Sequence, residues 1–283
     1  MNYRHAFHAG NHADVLKHVV LLALCRALTA KPAACFALDT HAGRGLYRLD
    51  ADEARRTGEA GAGVARLQRG RHAWIDAYLA AIDDCRSQHG TDAYPGSPWL
   101  LAHALRSVDR IAACELQAEE AVALRAHLGR DPRLAIHVRD GYAAIRALLP
   151  PRDGSRRLAR GLVLIDPPYE AQLGEFDTAL TAIGEALARW PQGMVALWYP
   201  VKRRRDLQPF QRAAAALPAR SALLLELLVR PDDSPLRMNG SGLLLLNAPW
   251  RFDAEAAPAL DALREALGKT GATTRADWLK PPE

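Results

Sequence analysis

Apolar residues in this chain recur first at helical spacing and later in short continuous runs. Between residues 13 and 29, Val15, Leu16, Val19, Val20, Leu22 and Ala23 fall on a helical repeat. Asn11 or Asp14 is suited to cap that helix, and Lys31-Pro32 stops it. A short buried strand is predicted at 35–38. A glycine-bearing loop follows, Asp39-Thr-His-Ala-Gly-Arg-Gly45. Residues 49–94 read as polar and helical, with Trp74, Ile75, Tyr78, Leu79 and Ile82 marking one amphipathic helix. Tyr94-Pro-Gly-Ser-Pro98 closes that stretch. The next helix, over 98–107, carries its proline in the first turn, where no N–H is needed.

From there strand and helix alternate. Strands are predicted at 110–115, 134–139, 161–166 and 195–199, and helices at 118–128, 142–148 and 176–189. Two more apolar runs, 222–230 and 242–248, read as late strands, and the tail after Gly268 is weakly patterned. Strands interleaved with helices predict a mainly parallel α/β sheet. With 49–94 treated as a helical insertion, residues 1–48 and 95–283 form one α/β domain. No internal repeat or low-complexity segment interrupts it.

Composition narrows the picture. At 283 residues and 49% hydrophobic, the chain can bury a sizeable core and work as a monomer. No apolar run reaches membrane-spanning length, and residues 1–14 lack an apolar signal core, so a cytoplasmic protein is expected. Cys25, Cys35, Cys85 and Cys114 form no Cys-x-x-Cys pair and read as buried, reduced thiols. The formal charge of +5 suits a polyanionic partner, although arginine is spread through the whole chain.

The most informative stretch is Gly161-Leu-Val-Leu-Ile-Asp166-Pro-Pro-Tyr169. An apolar strand delivers Asp-Pro-Pro-Tyr to its C-terminal end, the edge where ligands bind in open parallel sheets. An exocyclic adenine N6 amine is a poor nucleophile whose lone pair is delocalised into the ring. Asp166 can accept one of its N–H groups and the Pro167 carbonyl the other, which stabilises the charge developing on nitrogen during methyl transfer. Tyr169 can stack on a base held outside a helix. The bland alternative is a strand-ending turn with Asp166 as a cap.

Other strand ends add to this. Asp39 to Gly45 has the order strand, acid, Gly-x-Gly, as in the first motif of Rossmann-like methyltransferases. Arg48 stands where a dinucleotide fingerprint needs Gly or Ala, which argues against NAD. Once 49–94 is set aside, Glu115 falls at the end of the second strand, placed for ribose hydroxyls. Arg139-Asp140-Gly141 ends the third, with an acid and an amide for the cofactor's adenine. His18 and His41 line the expected cleft. Tyr3, Arg4 and Lys17 either touch base or phosphate or are surface polarity. His5, His8 and His12 have helix-like spacing, but no carboxylate or thiol is arranged with them and Gly10-Asn11 interrupts a helix, so no metal is expected. Two basic runs, Arg152/Arg156/Arg157/Arg160 and Lys202-Arg-Arg-Arg205, are candidates for phosphate contact.

The opening Tyr3-Arg-His-Ala-Phe-His-Ala-Gly-Asn-His-Ala-Asp-Val-Leu-Lys-His18 resembles the start of the bacterial 23S ribosomal RNA adenine-N6 methyltransferase J family. The likeness continues through Leu38-Asp-Thr-His-Ala-Gly-Arg-Gly45, Arg56-Thr-Gly-Glu59, Tyr94-Pro-Gly-Ser-Pro98, Asp166-Pro-Pro-Tyr169, Ala196-Leu-Trp-Tyr-Pro200 and Asn247-Ala-Pro-Trp250. Ala248 stands where the family usually has Pro. The resemblance implies a Rossmann-like class I S-adenosylmethionine-dependent methyltransferase with an inserted helical subdomain. It also implies cofactor contacts at His18, His41, Ser97, Glu115, Asp140 and Gly141, Asp166 as the catalytic acceptor, and substrate contacts at Tyr3 and Lys17. Ser97 comes from the resemblance alone. The competing readings are the same chemistry on DNA adenine or a glutamine amide, and a non-catalytic nucleic-acid-binding protein linked to DNA uptake or use.

Overall fold

The computed structural model describes residues 5–169, 173–236 and 238–282. Eight strands make the main sheet: β1 (Cys35–Asp39), β2 (Arg110–Glu115), β3 (Leu134–Val138), β4 (Arg160–Ile165), β5 (Met194–Val201), β6 (Ala222–Leu228), β7 (Gly240–Leu246) and β8 (Thr273–Lys280). Their order is β3-β2-β1-β4-β5-β7-β6-β8. The strands from β3 to β5 run parallel, whereas β7, β6 and β8 join by antiparallel pairings. The expectation of a mainly parallel sheet therefore holds for the half that carries Asp39, Glu115 and Asp166. The weakly patterned tail supplies β8, an edge strand absent from the sequence reading.

Ten helices surround this sheet: α1 (His12–Thr29), α2 (Asp52–Thr57), α3 (Glu59–Ala62), α4 (Ala73–His89), α5 (Ser97–Ala104), α6 (Ala118–Leu128), α7 (Gly141–Leu148), α8 (Leu173–Arg189), α9 (Gln208–Ala215) and α10 (Phe252–Leu267), counted among the described residues. α9 and α10 lie outside the helices predicted from the apolar pattern. The strands alternate side chains between two cores, as their period of two requires. Leu162, Leu164, Leu223, Leu225, Leu243 and Leu245 join the core of α1, α4 and α10. Val163, Ile165, Leu224, Leu244 and Leu246 join that of α8 and α9.

Residues 49–94 do not stand apart from this packing. Trp74, Ile75, Tyr78, Ile82 and Cys85 of α4 lie in the same core as Leu16, Val20 and Leu24 of α1. Trp74 also packs on Phe252 of α10, with ring centroids 5.0 Å apart. The segment is fastened at its base by an antiparallel pairing of Leu46–Arg48 with Ala93–Pro95. The four cysteines are buried and free. No helix among the described residues is long and apolar enough to cross a membrane.

Candidate active site

Four strand ends converge at one edge of the sheet. The backbone and hydroxyl of Thr40 both donate to the Leu164 carbonyl, at 3.0 and 2.9 Å, tying the loop after β1 to β4. The Ala42 N–H donates to the Cys114 carbonyl and the Gly43 N–H to Glu115 Oε2, both at 2.9 Å, tying the same loop to β2. Gly43 has φ near 60°, and a Cβ there would stand 2.3 Å from the Tyr47 hydroxyl. At Gly141 the constraint is space, because a Cβ would sit 2.0 Å from the Thr40 carbonyl oxygen. The two glycines let loops from β1, β2 and β3 meet within backbone contact.

Glu115 is buried, and each of its oxygens accepts one backbone N–H, from Gln117 and Gly43, leaving a lone pair on each. Burial raises its pKa, and those two amides work against the rise. Asp140 spends Oδ1 on capping α7, accepting from the Ala143 N–H at 2.7 Å, with its side chain exposed. His41 is half-buried, with Thr40 Oγ1 2.8 Å from its Nδ1 and its ring edge-on to Tyr142. Burial lowers its pKa, which favours neutral imidazole.

The N-terminal turns of α1 enter this edge. Asn11 caps the helix, its Oδ1 accepting from the Ala13 and Asp14 N–H groups. One turn in, Asp14 is 2% exposed and collects the Gly10 N–H, His5 Nε2 and Lys17 Nζ, each at 3.0 Å. Burial alone would raise Asp14; His5, Lys17 and His18 overcome it and hold the carboxyl well below its usual range. Lys17 is itself buried and reaches on to Asp166 Oδ2 at 2.5 Å. Its ammonium therefore joins Asp14, near the start of the chain, to the carboxylate at the end of β4. This burial removes the surface-polarity reading of Lys17 and sets it against Asp166. His18 lies one position on, fully buried, with Nδ1 3.1 Å from the Tyr94 hydroxyl, which meets the Tyr78 hydroxyl at 2.6 Å. Burial pushes His18 down to about 3, so the ring is neutral, and its Nε2 has no hydrogen-bond partner.

After β4, Asp166 leads into Pro167, Pro168 and Tyr169. Tyr169 has φ near 51°, an uncommon conformation for an aromatic residue. Its hydroxyl donates to the Trp198 carbonyl at 2.9 Å, and its ring packs against Phe176 and Trp198. These contacts over-determine the strained residue and make it a braced wall of the site, 8% exposed.

His18, Ser97, Glu115, Gly141, Lys17, Asp166 and Pro167 thus gather at one sheet edge with His41 and Asp140. Tyr3 and Arg4 lie outside the described residues. The three histidines at helix-like spacing do not converge: His5 meets Asp14, His8 meets Glu59, and His12 is half-buried, burial lowering its pKa to about 4. Among the described residues no group of three or more His, Cys, Asp or Glu is placed to hold a metal ion. Of the basic runs, only Lys202–Arg205 follows β5 at the site's edge. Within it Arg204 is pulled inward onto fully buried Glu226 at 2.7 Å. Arg152, Arg156 and Arg157 precede β4 and Arg160 opens it, and Arg110 at the start of β2 pairs with Asp153. That run lies at the edge opposite Asp166.

Sequence reasoning missed Asp14 as a site residue and gave Asp39 only as part of a motif. Asp39 is fully buried at the end of β1, and its Oδ2 has no hydrogen-bond partner. Burial raises its pKa to about 7, with Asp166 adding to the rise and Ser97 and Lys17 opposing it. An orphaned carboxylate oxygen below a glycine loop, an orphaned His18 Nε2 and a half-satisfied Glu115 are a set of polar groups matched to a ligand bearing an ammonium, a carboxylate and a ribose. Such groups belong to an amino-acid nucleoside like S-adenosylmethionine. In the free protein the sign of the Asp39 effect is fixed. A folded pKa above the ordinary 3.8 contributes stability that is fully present below that pH and is lost as pH rises through about 7. Asp39→Asn is expected to flatten the fall in Tm between pH 5 and 8 and to weaken cofactor binding. An unchanged pH slope in thermal unfolding would show that Asp39 is not the group responsible.

Parallel strands ordered 3-2-1-4-5, an acid and glycine loop after β1, an acid ending β2 and Asp-Pro-Pro-Tyr after β4 define a class I methyltransferase. The family model described as "Ribosomal RNA large subunit methyltransferase D, RlmJ" matches residues 32–280. Ribosomal RNA large subunit methyltransferase J of Haemophilus influenzae is 36% identical over 286 residues, with 99% of each chain covered. The Escherichia coli protein of the same name is 36% identical over 285 residues, again with 99% of each covered. Among solved structures, protein LPL1258 of Legionella pneumophila superposes with a TM-score of 0.84 at 30% identity, covering 95% of this chain and 98% of that one. The chain belongs to the ribosomal RNA large subunit methyltransferase J family.

Proposed function

We propose that this chain transfers the methyl group of S-adenosylmethionine to the exocyclic N6 of an adenine in 23S ribosomal RNA, as a cytoplasmic monomer that needs no metal. The observation that carries the reading is the junction of Lys17, Asp166 and Pro167 at the edge where the glycine loop and Glu115 also meet. When bound, the cofactor supplies an electrophilic methyl on a sulfonium. Asp39, His18, His41, Ser97, Glu115, Asp140 and Gly141 are the residues that would hold it.

The chain's own chemistry is the handling of the amine. Lys17 sits on Asp166 Oδ2, which leaves Oδ1 for an incoming N–H. Pro167 lacks an N–H, and its carbonyl accepts the second hydrogen. With both hydrogens held, the nitrogen lone pair is freed from the ring and directed at the methyl, and the charge growing on nitrogen faces a carboxylate. Tyr169, braced by Trp198 and Phe176, supplies a rigid aromatic surface beside the base, and Tyr3 is a further substrate contact. Residues 49–94, as an insertion in the domain formed by 1–48 and 95–283, grip the RNA together with the exposed Lys202 and Arg205.

The test is to incubate the protein with labelled S-adenosylmethionine and unmodified 23S rRNA, then identify the labelled nucleoside. N6-methyladenosine is expected. Label appearing only on DNA or protein would move the substrate class, and absence of cofactor binding would return the chain to a non-catalytic nucleic-acid-binding role.

A further inference from the structure

At the sheet edge opposite Asp166, the structure holds a cleft of about 280 Å³ bordered by Leu28, Lys31, Arg160, Gln192, Met194 and Trp250. Trp250 is 77% exposed, the most exposed large hydrophobic side chain among the described residues. Its display is built into the turn before α10. Asn247, at φ 55°, donates to the Pro191 and Gly193 carbonyls and accepts the Arg220 N–H, clamping two neighbouring loops. On the other side Arg251 holds φ 56°, a strained value for a long side chain. The indole is therefore held out on a rigid turn.

The charged residues that line the cleft, Lys31 and Arg160, are both basic, and among the described residues no carboxylate lines it. Among the described residues Lys31, Arg160, Arg220 and Arg251 have no ion-pair partner. Arg160 is instead braced by the Leu28 carbonyl at 2.9 Å. The Arg152–Arg157 hairpin, which the site at the other edge leaves unused, runs directly into Arg160. An exposed, preorganised aromatic plate beside unneutralised cations has the chemistry that binds single-stranded nucleic acid, with the base stacked and the phosphate paired.

We infer that this cleft is a second RNA-binding site, which stacks an unpaired base of the substrate on Trp250 and pairs its phosphate with Lys31 and Arg160. The inference rests on the RNA reading above. β4 runs between the two edges, and six residues at about 3.3 Å each put the cleft roughly 20 Å from Asp166. A substrate confined to the target nucleotide's own loop does not reach it; a longer one does. The cleft thus selects for RNA context beyond the methylated adenine.

The experiment compares wild type, Trp250→Ala, Trp250→Phe and Lys31→Glu on two RNAs: a short one centred on the mapped target and a fragment extended on both sides. Both positions are exposed, so folding is expected to survive. Trp250→Ala should raise KM for the long fragment about tenfold, the scale of losing one base–aromatic stack, with kcat and short-RNA kinetics unchanged. Trp250→Phe should restore most of the loss, and Lys31→Glu should reduce the salt dependence of long-fragment binding. Unchanged long-fragment KM in Trp250→Ala, or an equal change on both RNAs, overturns the inference. So does a change in sedimentation that reveals Trp250 as a contact between copies of this chain. If wild type methylates neither RNA, the adenine reading has failed. Direct binding of the long fragment, wild type against Trp250→Ala, then decides the cleft separately.

Discussion

Replacing Asp166 with Ala is expected to lower kcat for RNA methylation about 10³-fold while leaving cofactor affinity and Tm close to wild type. The magnitude follows from what is removed. Without the carboxylate the amine keeps its planar, delocalised form, and the charge developing on nitrogen has only the Pro167 carbonyl for compensation. The fold survives because Lys17 retains Asp14 at 3.0 Å, so no buried cation is stranded. Asp166→Asn should fall between the two, since its amide oxygen still accepts an N–H but carries no charge to face the developing cation. Single-turnover kinetics with saturating RNA, alongside cofactor titration, separates the possibilities. Activity within threefold of wild type would remove Asp166 from the chemistry. Loss of cofactor binding in step with activity would make it a structural residue of the cleft.

The halves of the fold differed in how far the sequence disclosed them. β2 and α6 carry strong, uninterrupted patterns, and their predicted bounds match the observed Arg110–Glu115 and Ala118–Leu128. β8 escaped because an edge strand buries little: its eight residues, Thr273–Lys280, are all exposed or half-buried and include Arg275, Asp277 and Lys280. α10 escaped because its buried face includes the small Ala256 and Ala259 beside Phe252, Leu260, Leu263 and Leu267, and because Pro258 sits inside it. The pairing of Leu46–Arg48 with Ala93–Pro95 joins three residues to three across the whole insertion, and no local pattern announces such a contact.

The site shows the same division. Glu115, Asp140 and Asp166 were legible because each ends an apolar run, so topology alone sends them to one edge. Asp14 was not, because an acid in the first turn of a helix reads equally well as a solvated cap or dipole partner. What buries it is a cation three residues on, whose other partner, Asp166, lies 149 residues away in sequence. A charge tolerated in the interior only through such a network is invisible until the network is assembled.

That dependence makes Asp14 a sensitive position for stability. Asp14→Ala strips the Gly10 N–H, His5 and Lys17 of a shared acceptor at 2% exposure and leaves the buried ammonium with Asp166 alone. Breaking a buried pair from one side costs about 3–5 kcal/mol, which for a chain of this size is a fall in Tm on the order of 10 °C. Catalysis should suffer as well, since a Lys17 bound solely to Asp166 competes more strongly with the substrate amine for the same carboxylate. The pH dependence has a definite sign. Because the folded Asp14 pKa is depressed, its contribution is present above the ordinary 3.8 and is lost only as pH falls through the folded value. The gap between wild type and Asp14→Ala should therefore persist at neutral pH and close only in strong acid. A Lys17→Met change in the Asp14→Ala background tests the pairing itself. If the loss comes from the Lys17–Asp14 pair, the double variant is less destabilised than the sum of the singles. Additive losses would mean that Asp14 supports the helix start through Gly10 and His5 and that its link to Asp166 through Lys17 carries no energy.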